Sequence, residues 1–107
     1  MRLRNIDEVE KFISTAQHSI LFISSPGCSV CQALLPRIKD MLARYPDVKL
    51  GLVDASEVQE VAGRFLAFEA PTILVLMEGK EQFREGRFIR MEEFEEKLKK
   101  ISSPDNY

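Results

Sequence analysis

The chain has 107 residues, 45% of them hydrophobic and 30% charged, with a net charge of -2. That length suits a single domain over residues 1–107 and excludes two ordinary ones. The near-balance of charge leaves no basic footprint for nucleic acid, and the longest apolar runs, residues 20–23 and 73–77, fall far short of the roughly 20 residues that span a bilayer.

In chain order, Arg2-Leu3-Arg4 reads as a short edge strand. Asn5-Ile6-Asp7-Glu8 has the form of a helix start, with Asn5 as N-cap and Glu8 in the capping-box position. Ile6, Val9, Phe12, Ile13 and Ala16 continue it as a helical stripe. This acidic helical start has neither the apolar segment nor the small-residue cleavage site of a secretory signal, so the protein is expected in the cytoplasm. His18 is expected in a surface loop. Residues 19–24 form a compact apolar run that suits a buried strand, broken by Ser24-Ser25-Pro26-Gly27.

From 28 to 45 the pattern is helical, with Cys31, Leu34, Leu35, Ile38, Met41, Leu42 and Tyr45 on one face and Pro36 bending the axis. Residues 48–53 read as a strand. Ser56 with Gln59 has the form of a second capping box, opening a short helix as far as Phe65. Residues 72–77 read as a strand directly after Pro71, and Glu78-Gly79-Lys80 turns the chain into a partner strand at 82–85. Met91, Phe94, Leu98 and Ile101 mark a last helix. Its solvated face is expected to pair Glu93 with Lys97, Glu95 with Lys99 and Glu96 with Lys100. Residues 102–107 are expected to fray. The order β-α-β-α-β-α-β-β-α implies parallel pairing through crossover helices and a closing antiparallel hairpin: an α/β fold in three layers.

Both cysteines of the chain stand in Pro26-Gly27-Cys28-Ser29-Val30-Cys31. A structural disulfide there closes too small a loop to restrain the unfolded chain much. A structural zinc site needs four ligands, and His18 is the one further soft ligand, so no metal is expected. Redox chemistry is the favoured reading, with incidental core thiols the bland alternative. A thiol is nucleophilic only as thiolate, and its ordinary value of about 8.5 leaves it mostly protonated at neutral pH. The first turn of a helix, with unpaired N–H groups and the positive end of the macrodipole, favours the anion. Cys28 falls there as the exposed attacker, and Cys31, nearly a turn on, as the more buried resolver.

Four features then act together: Cys28-Ser29-Val30-Cys31 after a strand, Pro36 five residues past the second cysteine, Ala70-Pro71-Thr72 before a strand, and Gly86 after the hairpin. In this order they make the chain resemble the thioredoxin family over nearly its full length. The resemblance implies a thioredoxin fold, α/β/α around a mixed sheet of four to five strands, and a thiol–disulfide oxidoreductase. It implies that Pro71 is cis beside the disulfide, with Ala70, Pro71 and Gly27 holding the substrate chain. Pro36 and Gly86 are then structural, a helix kink and a backbone fit. Protein disulfides are the implied substrates, an external thiol reductant or reductase the recycling partner, and monomer the expected state. No cofactor, nucleic acid or membrane is implied.

Departures from the family pattern bear on the mechanism. The typical W-C-G-P-C motif reads Gly27-Cys28-Ser29-Val30-Cys31 here, and the chain has no tryptophan. Phe22 stands where typical members carry a buried Asp that helps deprotonate the resolving thiol, and Leu50 corresponds to its Lys companion. A binding module that does not turn over, and a redox sensor, are the alternative functions.

Overall fold

The computed structural model describes residues 1–102. The expected fraying of 103–107 lies outside the described residues, whereas Ser102 is helical, its hydroxyl donating to the Leu98 carbonyl at 2.7 Å. Strands β1 (Arg2–Leu3), β2 (His18–Ser24), β3 (Val48–Asp54), β4 (Thr72–Met77) and β5 (Lys80–Glu85) form one sheet in the order β1-β3-β2-β4-β5. β1, β3 and β2 run parallel; β4 is antiparallel to β2, and β5 to β4. The helices are α1 (Ile6–Thr15), α2 (Ser29–Leu42), α3 (Glu60–Phe65) and α4 (Met91–Ser102).

Side chains alternate across a strand, so each central strand feeds two cores. Leu21, Ile23 and Leu74 pack with Val9, Phe12 and Ile13 of α1 and Val61 and Phe65 of α3. Ile20, Phe22, Ile73 and Val75 pack with Leu34 and Ile38 of α2 and Phe94 and Leu98 of α4. These are the two interfaces of the expected three layers. At the β4–β5 turn, Glu78 and Gly79 both have positive φ, 52° and 81°, the backbone that lets a two-residue hairpin follow strand twist.

Asn5 caps α1, its Oδ1 accepting the Glu8 N–H at 2.9 Å. The reciprocal bond falls one residue early, because the Glu8 carboxylate takes the Arg4 N–H at 2.7 Å. The second capping box does not form. Asp54 Oδ1 accepts both the N–H and the hydroxyl of Ser56, at 2.8 and 2.7 Å, a local turn that uses the hydroxyl as a donor. The α3 helix therefore begins only at Glu60, without a side-chain cap. α2 stops at Leu42, short of Tyr45, in a tightened last turn where Ala43, Arg44 and Tyr45 donate three residues back.

His18 is not in a loop: it opens β2 between Val48 and Met77 and is 8% exposed. The hairpin pulls β5 forward to Lys80. The three i, i+4 pairs expected on α4 are not among the ion pairs of the described residues. Glu95 instead takes a two-pronged contact from Arg44 at 3.0 and 2.6 Å, plus the Tyr45 hydroxyl at 2.9 Å. Lys97 reaches Glu85 at 3.2 Å and Arg90 reaches Glu93 at 3.6 Å. For Glu95 and Lys97, contacts to neighbouring elements take the place of the pairs along the helix face.

Candidate active site

The two cysteines stand where β2 gives way to α2. Gly27 carries the chain round at φ 74°, in open space, and the Cys28 N–H bonds back to the Ser25 carbonyl at 3.3 Å. Cys28 is then the N-cap of α2. Its backbone is extended (φ -82°, ψ 99°), and its sulfur accepts the Cys31 N–H at 3.2 Å. A sulfur in the capping position faces the unpaired donors of the first turn, where negative charge is most favoured. Cys31, 5% exposed, packs in the core with Phe22 and Leu34. Cys28 is only partly buried. The two are joined as a disulfide, their Cα atoms 5.3 Å apart.

A cleft of about 280 Å³ opens on this pair from one side. Its floor includes Phe22 and Leu52, which face each other across the β2–β3 register, while Leu50 stands opposite Ile20. All four belong to one apolar cluster, which also holds Cys31. Arg2 and Asp54 also line this cleft. Hydrogen bonds from the Ser56 hydroxyl and N–H hold the Asp54 carboxyl below the usual carboxylate range.

The Ala70–Pro71 peptide is cis. Pro71, Thr72 and Gly86 line a separate groove of about 490 Å³, and a Cβ on Gly86 would stand 3.9 Å from the Pro71 carbonyl oxygen. That spacing is ordinary contact, so a close fit is not what requires glycine there. Two apolar side chains border the groove exposed, Leu66 and Phe68. Arg84 sets up this edge. It donates to the Phe65 and Leu66 carbonyls at 2.7 and 3.0 Å and pairs with Glu81, while Leu66 ends α3 in the left-handed region at φ 52°.

Arg2, Asp54 and Arg84 escaped the sequence reading. None sits in a motif: the β1–β3 pairing of Arg2 with Leu52 brings Arg2 beside the end of β3, and the hairpin brings Arg84 to α3. Among the described residues, no group of three or more His, Cys, Asp or Glu side chains is placed to hold a metal.

The family model for thioredoxin matches residues 4–102. The chain belongs to the thioredoxin family. It is 42% identical over 99 residues to the thioredoxin-like protein YdfQ of Bacillus subtilis (strain 168), covering 92% of this chain and 88% of that relative. The structure of thioredoxin NaTrxh from Nicotiana alata superposes with a TM-score of 0.85 at 25% identity, covering 96% of this chain and 92% of that one. Mitochondrial thioredoxin 3 from Saccharomyces cerevisiae, in its oxidized form, has the same fold, with a TM-score of 0.84 at 20% identity over 94% of both chains. With a disulfide-forming pair at the helix start, this thioredoxin-family chain is a thiol–disulfide oxidoreductase. The family acts on protein disulfides with reductase partners. No helix among the described residues is long and apolar enough to cross a membrane.

Proposed function

We propose that Cys28 is the attacking thiolate and Cys31 the resolving thiol in exchange with disulfides of partner proteins. The observation that carries this reading is the asymmetry of the pair: the Cys28 sulfur caps the helix and accepts an N–H, while Cys31 is packed in the core. The Cys28 thiolate attacks one sulfur of the partner's disulfide, that S–S bond breaks, and the released sulfur takes a proton from water. Cys31, losing its proton, attacks the Cys28 sulfur and breaks the mixed disulfide. The partner leaves with two thiols, Cys28–Cys31 is left oxidised, and two electrons have passed.

The backbone at Ala70–Pro71, with Gly27 at the approach to Cys28, holds the substrate chain. The sulfur pair carries both electrons, so no metal or organic cofactor enters these steps. An external thiol reductant or reductase returns the pair to the dithiol. Because the wall beneath Cys31 is apolar at Phe22, water in the adjoining cleft takes the resolving thiol's proton, and resolution is the slow step. The protein works as one domain and a monomer in the cytoplasm, with neither nucleic acid nor membrane as partner. With two cysteines, both in this pair, no framework of structural disulfides calls for an oxidising compartment.

Trapping tests the assignment. Cys31→Ser mixed with insulin as a model protein disulfide should accumulate a covalent adduct through Cys28, released by dithiothreitol, whereas Cys28→Ser should accumulate none. Equal trapping by both variants would reverse or abolish the roles. No adduct in either, with no turnover by the unaltered protein, would favour a binding module.

A further inference from the structure

The cleft beside the disulfide is distinct from the groove at Pro71. The 280 Å³ cleft reaches both Cys28 and Cys31, and neither Ala70 nor Pro71 lines it. Ser24, Ser25 and Gly27 border it, small residues that leave the space open. Phe22, Leu35 and Leu52 give it an apolar side. Its volume is at the small end for ligand cavities, which suits a molecule of amino-acid size better than a folded partner.

Two opposite charges line the same space. Arg2 is half exposed, and its contact with Glu57 is made through Nη2 alone, at 3.4 and 3.3 Å, so the guanidinium keeps donors for a second carboxylate. Asp54 receives both Ser56 hydrogen bonds on Oδ1, with the Glu57 N–H and the nearby Arg2 charge adding more weakly, and no side-chain donor among the described residues bonds to Oδ2. The pairing of Arg2 with Leu52 sets these groups two residues apart on neighbouring strands. A cation, an anion, an apolar wall and two sulfurs thus face one small cleft.

We propose that this cleft admits a low-molecular-weight disulfide of an amino-thiol, its carboxylate on Arg2, its ammonium on Asp54 and one sulfur presented to Cys28. The proposal rests on Cys28 as the attacking sulfur and adds a substrate class to that reading. The exchange balances as for a protein disulfide. The Cys28 thiolate forms a mixed disulfide with one half of the molecule and expels the other half as a thiolate. The Cys31 thiolate then attacks the Cys28 sulfur and expels the first half. Two amino-thiols leave, Cys28–Cys31 is oxidised, and the thiol reductant that serves the main activity restores it.

Cystine is the probe, compared with cystamine (ammonium groups only), 3,3'-dithiodipropionate (carboxylates only) and bis(2-hydroxyethyl) disulfide (uncharged). Reduced protein, freed of reductant, is mixed with each, and the loss of free thiols is followed after acid quenching. Dividing each rate by that of dithiothreitol on the same disulfide cancels the leaving group's own reactivity. Cystine should then exceed the uncharged disulfide by about tenfold and both singly charged types by less, with the advantage shrinking at high salt. Arg2→Ala, a change at an exposed side chain, should cut the cystine advantage about fivefold, and Asp54→Asn should do the same.

Cystine no faster than the uncharged disulfide would overturn the proposal, as would an advantage intact in Arg2→Ala. Insulin reduction, run in parallel, separates the two readings. If insulin is reduced but cystine has no advantage, the cleft proposal fails alone. If neither disulfide oxidises the Cys28–Cys31 thiols, the assignment of Cys28 fails with it.

Discussion

Gly51, in the middle of β3, is the position where the fold leaves least room for change. A Cβ there would stand 2.8 Å from Phe12 Cε2, 2.9 Å from Leu3 Cδ1 and 3.0 Å from Phe12 Cζ, closer than packed carbon atoms approach. Two effects oppose each other in Gly51→Ala. Restricting the unfolded chain stabilises by about 0.4–1 kcal/mol. Overpacking a filled core costs about 1–3 kcal/mol.

The neighbours decide the balance. Leu3 is 2% exposed and Phe12 8%, and both are held in the core shared by α1 and the sheet, so neither can swing aside freely. Overpacking should win, leaving Gly51→Ala less stable by about 1–2 kcal/mol. For a domain of this size that lowers the melting temperature by roughly 4–12 °C. Urea unfolding followed by circular dichroism gives the free-energy difference directly, and Phe12→Leu in the same chain should recover part of it by opening space. A Gly51→Ala protein as stable as the parent, or one that Phe12→Leu destabilises additively, would refute the packing argument.

Ser19 is fully buried in β2 and its hydroxyl has no hydrogen-bond partner among the described residues. Ser19→Ala should therefore raise stability by about 1 kcal/mol in urea unfolding, and a loss of that size would mean the hydroxyl is satisfied. The Glu95 carboxyl is held below the usual range first by hydrogen bonds from Arg44, with the Tyr45 hydroxyl adding to it. A depressed carboxyl stabilises the fold above its unfolded value and loses that contribution as pH falls through the folded one. The stability gap between the parent and Glu95→Gln should accordingly be largest near neutral pH and close as acid protonates Glu95; a gap independent of pH would contradict it.

Much of this fold is legible in the sequence because local chemistry and tertiary structure agree. The buried runs at 19–24 and 72–77 became the two central strands, and the helical stripe after Cys28 became α2. The cysteine pair was legible for the same reason: Pro26-Gly27 ends a strand and leaves Cys28 at the helix start. The failures come from long-range competition. Ser56 has a cap's sequence context, but Asp54 two residues earlier captures its hydroxyl. The acidic and basic residues of α4 are spaced for pairing along the helix, yet Arg44, in the turn that follows α2, offers Glu95 a two-pronged partner. His18 reads as polar punctuation before a strand and is instead the strand's first residue, covered on both sides. Arg2 and Asp54 carry no sequence signal for a shared cleft, because only sheet pairing brings them together.

Whether Cys28 and Cys31 work as one redox pair is tested most directly by a redox titration. The protein is equilibrated in dithiothreitol buffers of graded poise, quenched with acid, and its free thiols are counted while circular dichroism follows the fold. Ser29-Val30 between the cysteines offers neither the proline of thioredoxin nor a thiolate-stabilising histidine. One reversible two-electron transition is therefore expected, with the fold unchanged, between about -270 mV for thioredoxin and about -120 mV for DsbA. Thiols that titrate independently, never pair, or pair only as the fold is lost would contradict it.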